Sequence, residues 1–101
     1  MRILVLFNLK PGVDPAEYER FARETDIPGV NGLSSVIDFT VHRATGLFGS
    51  DAPSPYQYAE VIDVTNLDHF IADVSTDAVQ AVAARFAEFA DDPKFILTED
   101  L

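Results

Sequence analysis

Apolar positions along the chain switch between two periods, and the switches mark the elements. Arg2 to Leu9 is apolar and rich in strand formers, with Ile3, Val5 and Phe7 on one side and Leu4 and Leu6 on the other. The turn residues of "KPGVDP" end this first strand. Asp14, Pro15 and Glu17 have the form of an N-cap, a first-turn proline and a capping-box glutamate. Tyr18, Phe21, Ala22 and Thr25 then recur at helical spacing and predict a helix over about 15–25 with one buried face. "DIPGVNGL", with Pro28, Gly29 and Gly32, is expected to break it.

Alternation returns from Ser35 to Ala44, with Ile37, Phe39 and Val41 on one side and Asp38, Thr40 and His42 on the other. A long loop carrying Gly46, Gly49, Pro53 and Pro55 leads to a third strand, Tyr56 to Val64. Loops of this length tend to serve as lids or binding elements. Leu67, Phe70, Ile71 and Val74 predict a second helix, opened by Thr65 or Asn66. Val79, Val82, Ala83, Phe86 and Phe89 predict a third, opened near Ser75 or Thr76 and ended by "DDP" at 91–93. Phe95, Ile96 and Leu97 supply a last strand.

The order strand, helix, two strands, helix pair, strand is the split βαβ of a ferredoxin-like α+β fold, filling residues 1–101 as one domain. Right-handed crossovers place every helix on one face of a four-stranded antiparallel sheet. The other face does not alternate with polar residues as a solvated face should. A homodimer whose two sheets close into a barrel is therefore expected, with an aggregation-prone monomer as the alternative.

Composition narrows the chemistry. The chain has no cysteine and only two histidines, His42 and His69, which excludes thiolate nucleophiles and leaves little for a metal site. A net charge of −10 disfavours nucleic acid, whose binding depends on Lys and Arg neutralising phosphates. "GLFGS" has neither the spacing nor the lysine of a nucleotide loop. No apolar run approaches a membrane span, and the N-terminus reads as a strand rather than a leader, so a cytoplasmic location is expected.

The segments "LFNLKPGVDPAEYERF", "ETDIP", "GLFGSDAPSPYQYAEVIDV" and "FADDPKFILTEDL" resemble the RedY-like or HapK-like family of dimeric α+β barrel proteins, over nearly the whole chain. The first segment is common to the wider superfamily, and the long middle one is more distinctive. The resemblance implies a ligand held between sheet and helices. It also implies an association with the tailoring of pyrrole- or indole-containing natural products, as in prodigiosin-type pigment pathways. Superfamily members include monooxygenases without metal or flavin, polyketide cyclases and haem-degrading enzymes, so the fold leaves the reaction open. This chain has no tryptophan, on which the haem-degrading relatives lean, although Asn8 has a suggestive place on strand one. It carries Asp26 where related cyclases commonly have a histidine before the proline.

Tyr58, Glu60 and Ile62 share one side of strand three, and the resemblance turns that side toward the helices. Glu60 would then lie in an apolar cleft roofed by Phe21, Phe70 and Phe86. There its charged form is disfavoured and it can exchange a proton near neutral pH. Alternatively, Glu60 pairs with an arginine such as Arg43, or lies in water. Tyr58 is a candidate to orient a substrate or relay a proton, or else a core tyrosine. Asp26 is either an auxiliary group at the cleft mouth or a plain turn residue. His42 is the imidazole of strand two and a candidate auxiliary group, but it faces the dimer barrel in a structural role if Phe39 and Val41 face the helices. Phe7, Phe21, Phe39, Ile62, Phe70 and Phe86 form the candidate lining for an aromatic guest, or simply the core.

These readings favour a cofactor-independent enzyme acting on a small hydrophobic or aromatic metabolite by cyclisation, dehydration or isomerisation. Glu60, Tyr58, Asp26 and His42 are its candidate catalytic groups. A non-catalytic carrier of such a metabolite is the alternative, and a partner-binding accessory with an acidic surface is a third reading.

Overall fold

A computed structural model describes all 101 residues. Strand β1 (Arg2–Leu9) alternates as its sequence does, burying Ile3, Val5, Phe7 and Leu9 on one face. Helix α1 (Pro15–Phe21) opens at Asp14, whose carboxylate accepts from the Ala16 amide at 3.0 Å, with Pro15 in the first turn where a missing N–H is harmless.

The helix does not stop at "DIPG". It widens into a π-helical turn over Ala22–Asp26, in which the Ile27 amide bonds back to the Ala22 carbonyl, and resumes as α2 (Ile27–Asn31). The widened turn puts Pro28 at the head of a new α-helical stretch, where its missing donor breaks no ladder. It also shifts the inward stripe. Tyr18, Ala22 and Asp26 are buried, and Thr25, which the uninterrupted spacing placed on that face, is exposed.

Strand β2 (Val36–Arg43) has a bulge between Val36 and Asp38. The extra residue turns Ile37 outward to 63% exposure and leaves Phe39 and Val41 on the inner side, so the expected trio is split. Strand β3 (Tyr58–Val64) starts two residues later than expected, because Gln57 ties the incoming loop to β1. The Gln57 side chain accepts from the Leu9 amide at 2.6 Å, and the Asn8 carboxamide bonds to Pro55 and Gln57.

Helix α3 (Leu67–Val74) is capped by Asn66, and α4 (Asp77–Phe89) by Thr76. Strand β4 (Ala90–Leu97) follows α4 without a loop. "DDP" therefore lies inside the strand, at an irregularity opposite Leu6–Asn8 where Asp92 takes φ +45°. A bulge accommodates proline and left-handed backbone that a regular ladder rejects.

The sheet order is β2-β3-β1-β4, antiparallel throughout. Counting α1 to α2 as one widened helix, three helices cover one face, and the topology is ferredoxin-like. The core lies between the layers, centred on Val5, Phe7, Tyr18, Phe39, Tyr58 and Val64. On the open face, Val61, Leu4 and Ile96 sit in register across the three strands β3, β1 and β4. No helix is long and apolar enough to cross a membrane.

Candidate active site

Glu60 sits in the middle of β3 with its side chain among the helices, 5% exposed. Strand alternation dictates this: Tyr58, Ile62 and Val64 point the same way and are buried with it. Its Oε2 accepts a hydrogen bond from the Tyr18 hydroxyl at 3.2 Å. Burial, reinforced by the nearby Asp26 charge, pushes the Glu60 carboxyl up to about 8, against the opposing pull of the Tyr18 bond. Tyr18 is raised above the ordinary tyrosine range, first by burial and then by the charges of Glu60 and Asp26.

Asp26 is the second buried carboxyl, 6% exposed and pushed up to about 6 by burial. It and Glu60 line one cleft of about 250 Å³ between the sheet and α2, α3 and α4. The surrounding surface is apolar, with Phe39 and Ile62 from the sheet and Phe70 and Phe86 from the helices. No basic side chain lines it. Two carboxyls that resist ionisation in an apolar cleft can hold one proton between them near neutral pH, which is the equipment of acid–base chemistry.

Other candidates go elsewhere. Tyr58 shares the face of Glu60, but its hydroxyl donates to Glu19 at 2.7 Å. Glu19 also accepts from both the Nε (2.9 Å) and a terminal nitrogen of Arg43, and these bonds hold its carboxyl down at about 2. Burial and the bond to Glu19 push Tyr58 up to about 12. Arg43 is thus the partner of Glu19 and not of Glu60. His42 is exposed on the open face of the sheet, hydrogen-bonded to Thr40 at 2.9 Å, with the sheet between it and the cleft.

Phe7 and Phe21 are buried but do not line the cleft. Phe7 packs between Tyr18, Tyr58 and Phe86, and Phe21 packs on Phe89 beneath the Arg85 guanidinium. The roof expected from Phe21, Phe70 and Phe86 is supplied by the latter two, with Phe95 of β4 at the side. The sequence reading of the helical stripe counted Tyr18 as core only. Its signal was available: a tyrosine on a buried stripe needs a partner for its hydroxyl, and Glu60 is the buried carboxylate on the opposing strand.

The profile described as REDY-like protein HapK matches residues 1–101. The chain belongs to the HapK family of REDY-like proteins. The crystal structure of HapK from Hahella chejuensis superposes on this HapK-family chain with a TM-score of 0.77 at 27% identity, covering 100% of this chain and 93% of that one. A dimeric ferredoxin-like protein of unknown function from Thermobifida fusca is 22% identical, with a TM-score of 0.72 over 94% of this chain and 85% of its own. SnoaB, a cofactor-independent oxygenase from Streptomyces nogalater, has a TM-score of 0.72 at 13% identity, covering 99% and 93%. These last two likenesses are of fold alone. No curated protein sequence matches this HapK-family member.

Proposed function

We propose that this protein is a cofactor-independent enzyme that moves protons on a small aromatic or hydrophobic metabolite, such as a pyrrole- or indole-containing natural-product intermediate. The reaction class is cyclisation, dehydration or isomerisation, which positioned acid and base groups suffice to catalyse. The observation that carries the reading is Glu60: a carboxyl in an apolar cleft, hydrogen-bonded to Tyr18 and without a cation. A structural glutamate kept ionised here would need a basic partner, and Arg43 belongs to Glu19, so Glu60 holds its proton instead. For the same reason the reading of a passive carrier, with Glu60 locked in a salt bridge, is disfavoured.

We further propose that the working form is a cytoplasmic homodimer joined through the open sheet face, where Leu4, Leu6, Val61 and Ile96 present apolar surface. The dimeric Thermobifida fusca relative supports it. Catalysis is tested by incubating the protein with a panel of pyrroles and indoles in deuterated buffer and following hydrogen exchange at ring carbons by mass spectrometry. Wild type should accelerate exchange for at least one compound, and Glu60→Gln should abolish the acceleration while retaining affinity. Equal exchange by both proteins, or none by either across the panel, would overturn the reading.

A further inference from the structure

Asp26 and Glu60 are the only buried carboxylates of this chain, and they differ in one respect. Glu60 has the Tyr18 hydroxyl, whereas Asp26, 94% removed from solvent on the widened turn, accepts no hydrogen bond from any group of the protein. The Asp26 oxygens are not sealed off as an orphaned core atom would be, so solvent in the cleft that Asp26 borders can serve them. A guest that fills the cleft must replace that solvent with a donor of its own, or leave the carboxylate unpaired at a cost.

The lining says which kind of guest. The arginines nearest in sequence or space are engaged outside the cleft, Arg23 and Arg43 with Glu19 and Arg85 over the Phe21 and Phe89 rings. The remaining polar side chain at the rim, Gln80, donates its amide to the Val74 carbonyl at 2.7 Å. Nothing in the cleft can receive a carboxylate or a phosphate. Two carboxyls in apolar walls make a site complementary to positive charge.

We propose that the cleft takes a small, mostly apolar guest bearing a protonated nitrogen, and that Asp26 is the carboxylate that receives this nitrogen. The inference rests on the cleft being the ligand site of the acid–base enzyme argued above, and adds the charge of the substrate. It also divides the work of the pair. Glu60 keeps its proton to higher pH than Asp26, so near neutrality Asp26 is the ionised anchor and Glu60 the proton donor. The groups that bear on Asp26 are Glu60 from β3 and, behind it, Tyr18 from α1. The parts of β2, β4, α3 and α4 that line the cleft contribute no titratable side chain. Amine affinity should therefore rise as the pH climbs through about 6 and Asp26 loses its proton.

Three naphthalene probes of one ring size separate the possibilities: naphthylmethylamine, naphthylmethanol and naphthoate, titrated by their own fluorescence. The amine should bind wild type at least about tenfold more tightly than the alcohol, the gain expected of a charge-assisted hydrogen bond, and naphthoate should be weakest. In about 0.5 M salt the preference should persist, because a contact inside the cleft is screened far less than the field of the acidic surface. Asp26→Asn should erase the amine's advantage and its pH dependence while binding the alcohol as wild type does, which also shows that the variant is folded. An amine preference that survives Asp26→Asn, or naphthoate binding as tightly as the amine, would overturn the proposal and leave the proton-transfer reading of Glu60 intact. If no probe binds, the cleft is not a ligand site and both readings fall.

Discussion

The Tyr18 hydroxyl donates to Glu60 Oε2 at 3.2 Å, joining the first helix to the central strand β3 through the core. The bond pulls the carboxyl toward ionisation, while burial and the Asp26 charge push the other way and prevail. Glu60 is held where its proton can be lost and regained near neutral pH, with its orientation fixed by a side chain that is itself fully buried.

Tyr18→Phe removes that bond and little else, since the ring keeps its packing against Phe7, Tyr58 and Phe89. The variant should titrate Glu60 at higher pH than wild type by carbon-detected NMR. It should lose about 1 kcal/mol of stability under alkaline conditions, where the ionised carboxylate misses its donor, and less under acid. An unmoved Glu60 titration would show that the bond does not form in solution.

Glu60 also fixes a pH dependence of stability. Its pKa of about 8 in the fold stands above the unfolded value of about 4.3, so between these limits the native state binds the proton more tightly than the unfolded chain. The stabilisation is complete below the unfolded value and is lost as the pH rises through about 8. Asp26, raised to about 6, acts with the same sign over a lower range. Glu19, held down at about 2, acts oppositely: its stabilisation is present above the usual carboxylate range and is lost as the pH falls toward 2. Thermal stability should peak near about pH 5 and decline toward about pH 9. Glu60→Gln should be more stable than wild type at about pH 9, by on the order of 4 kcal/mol, and within about 1 kcal/mol of it at about pH 5. Paired melts across this range decide it, and parallel curves for the two proteins would refute the linkage.

Tyr58 and Tyr18 both point at the inner layer, but only Tyr18 reaches Glu60. Tyr58→Phe therefore takes one bond from Glu19, which keeps Arg43. We expect a loss of about 1 kcal/mol by denaturant titration, a Glu60 titration unchanged from wild type, and exchange activity within about threefold. Activity falling as far as in Glu60→Gln would return Tyr58 to the reacting centre.

The elements were legible in the sequence wherever one period ruled a whole segment. Ile3, Val5 and Phe7 of β1, the stripe of α4 and the cap at Asp14 read directly as structure, while Asn66 and Thr76 are each one of two cap candidates the sequence offers. Reading failed where the backbone departs from a regular period. The widened turn before Pro28 replaces Thr25 by Asp26 on the inward stripe, the bulge after Val36 expels Ile37, and the irregularity in β4 admits Pro93 to a strand. A hydrogen bond that skips one residue leaves no mark in a periodicity count. The cleft was half legible for a related reason. Alternation fixes which way Glu60 points, but the choice between Tyr18 and Tyr58 as its partner depends on the distance between α1 and β3, which only tertiary packing sets.

The last prediction concerns the open face. Val61 pairs with Leu4, and Leu4 with Ile96, so three apolar side chains line up across neighbouring strands with no helix above them. Ile96 is 42% exposed and Leu4 and Val61 are half-buried in one chain alone. If a second copy covers this row, Val61→Lys brings two like charges into the centre of the contact, each desolvated and without a counter-ion. A loss of several kcal/mol, on the order of 3–5, is expected for such an unpaired buried charge, enough to separate most dimers at micromolar concentration. Light scattering should give the dimer mass for wild type and the monomer mass for Val61→Lys. The substitution points away from the core, so circular dichroism and the Glu60 titration should stay close to those of wild type. A variant that keeps the wild-type mass would show that the apolar row is not the contact.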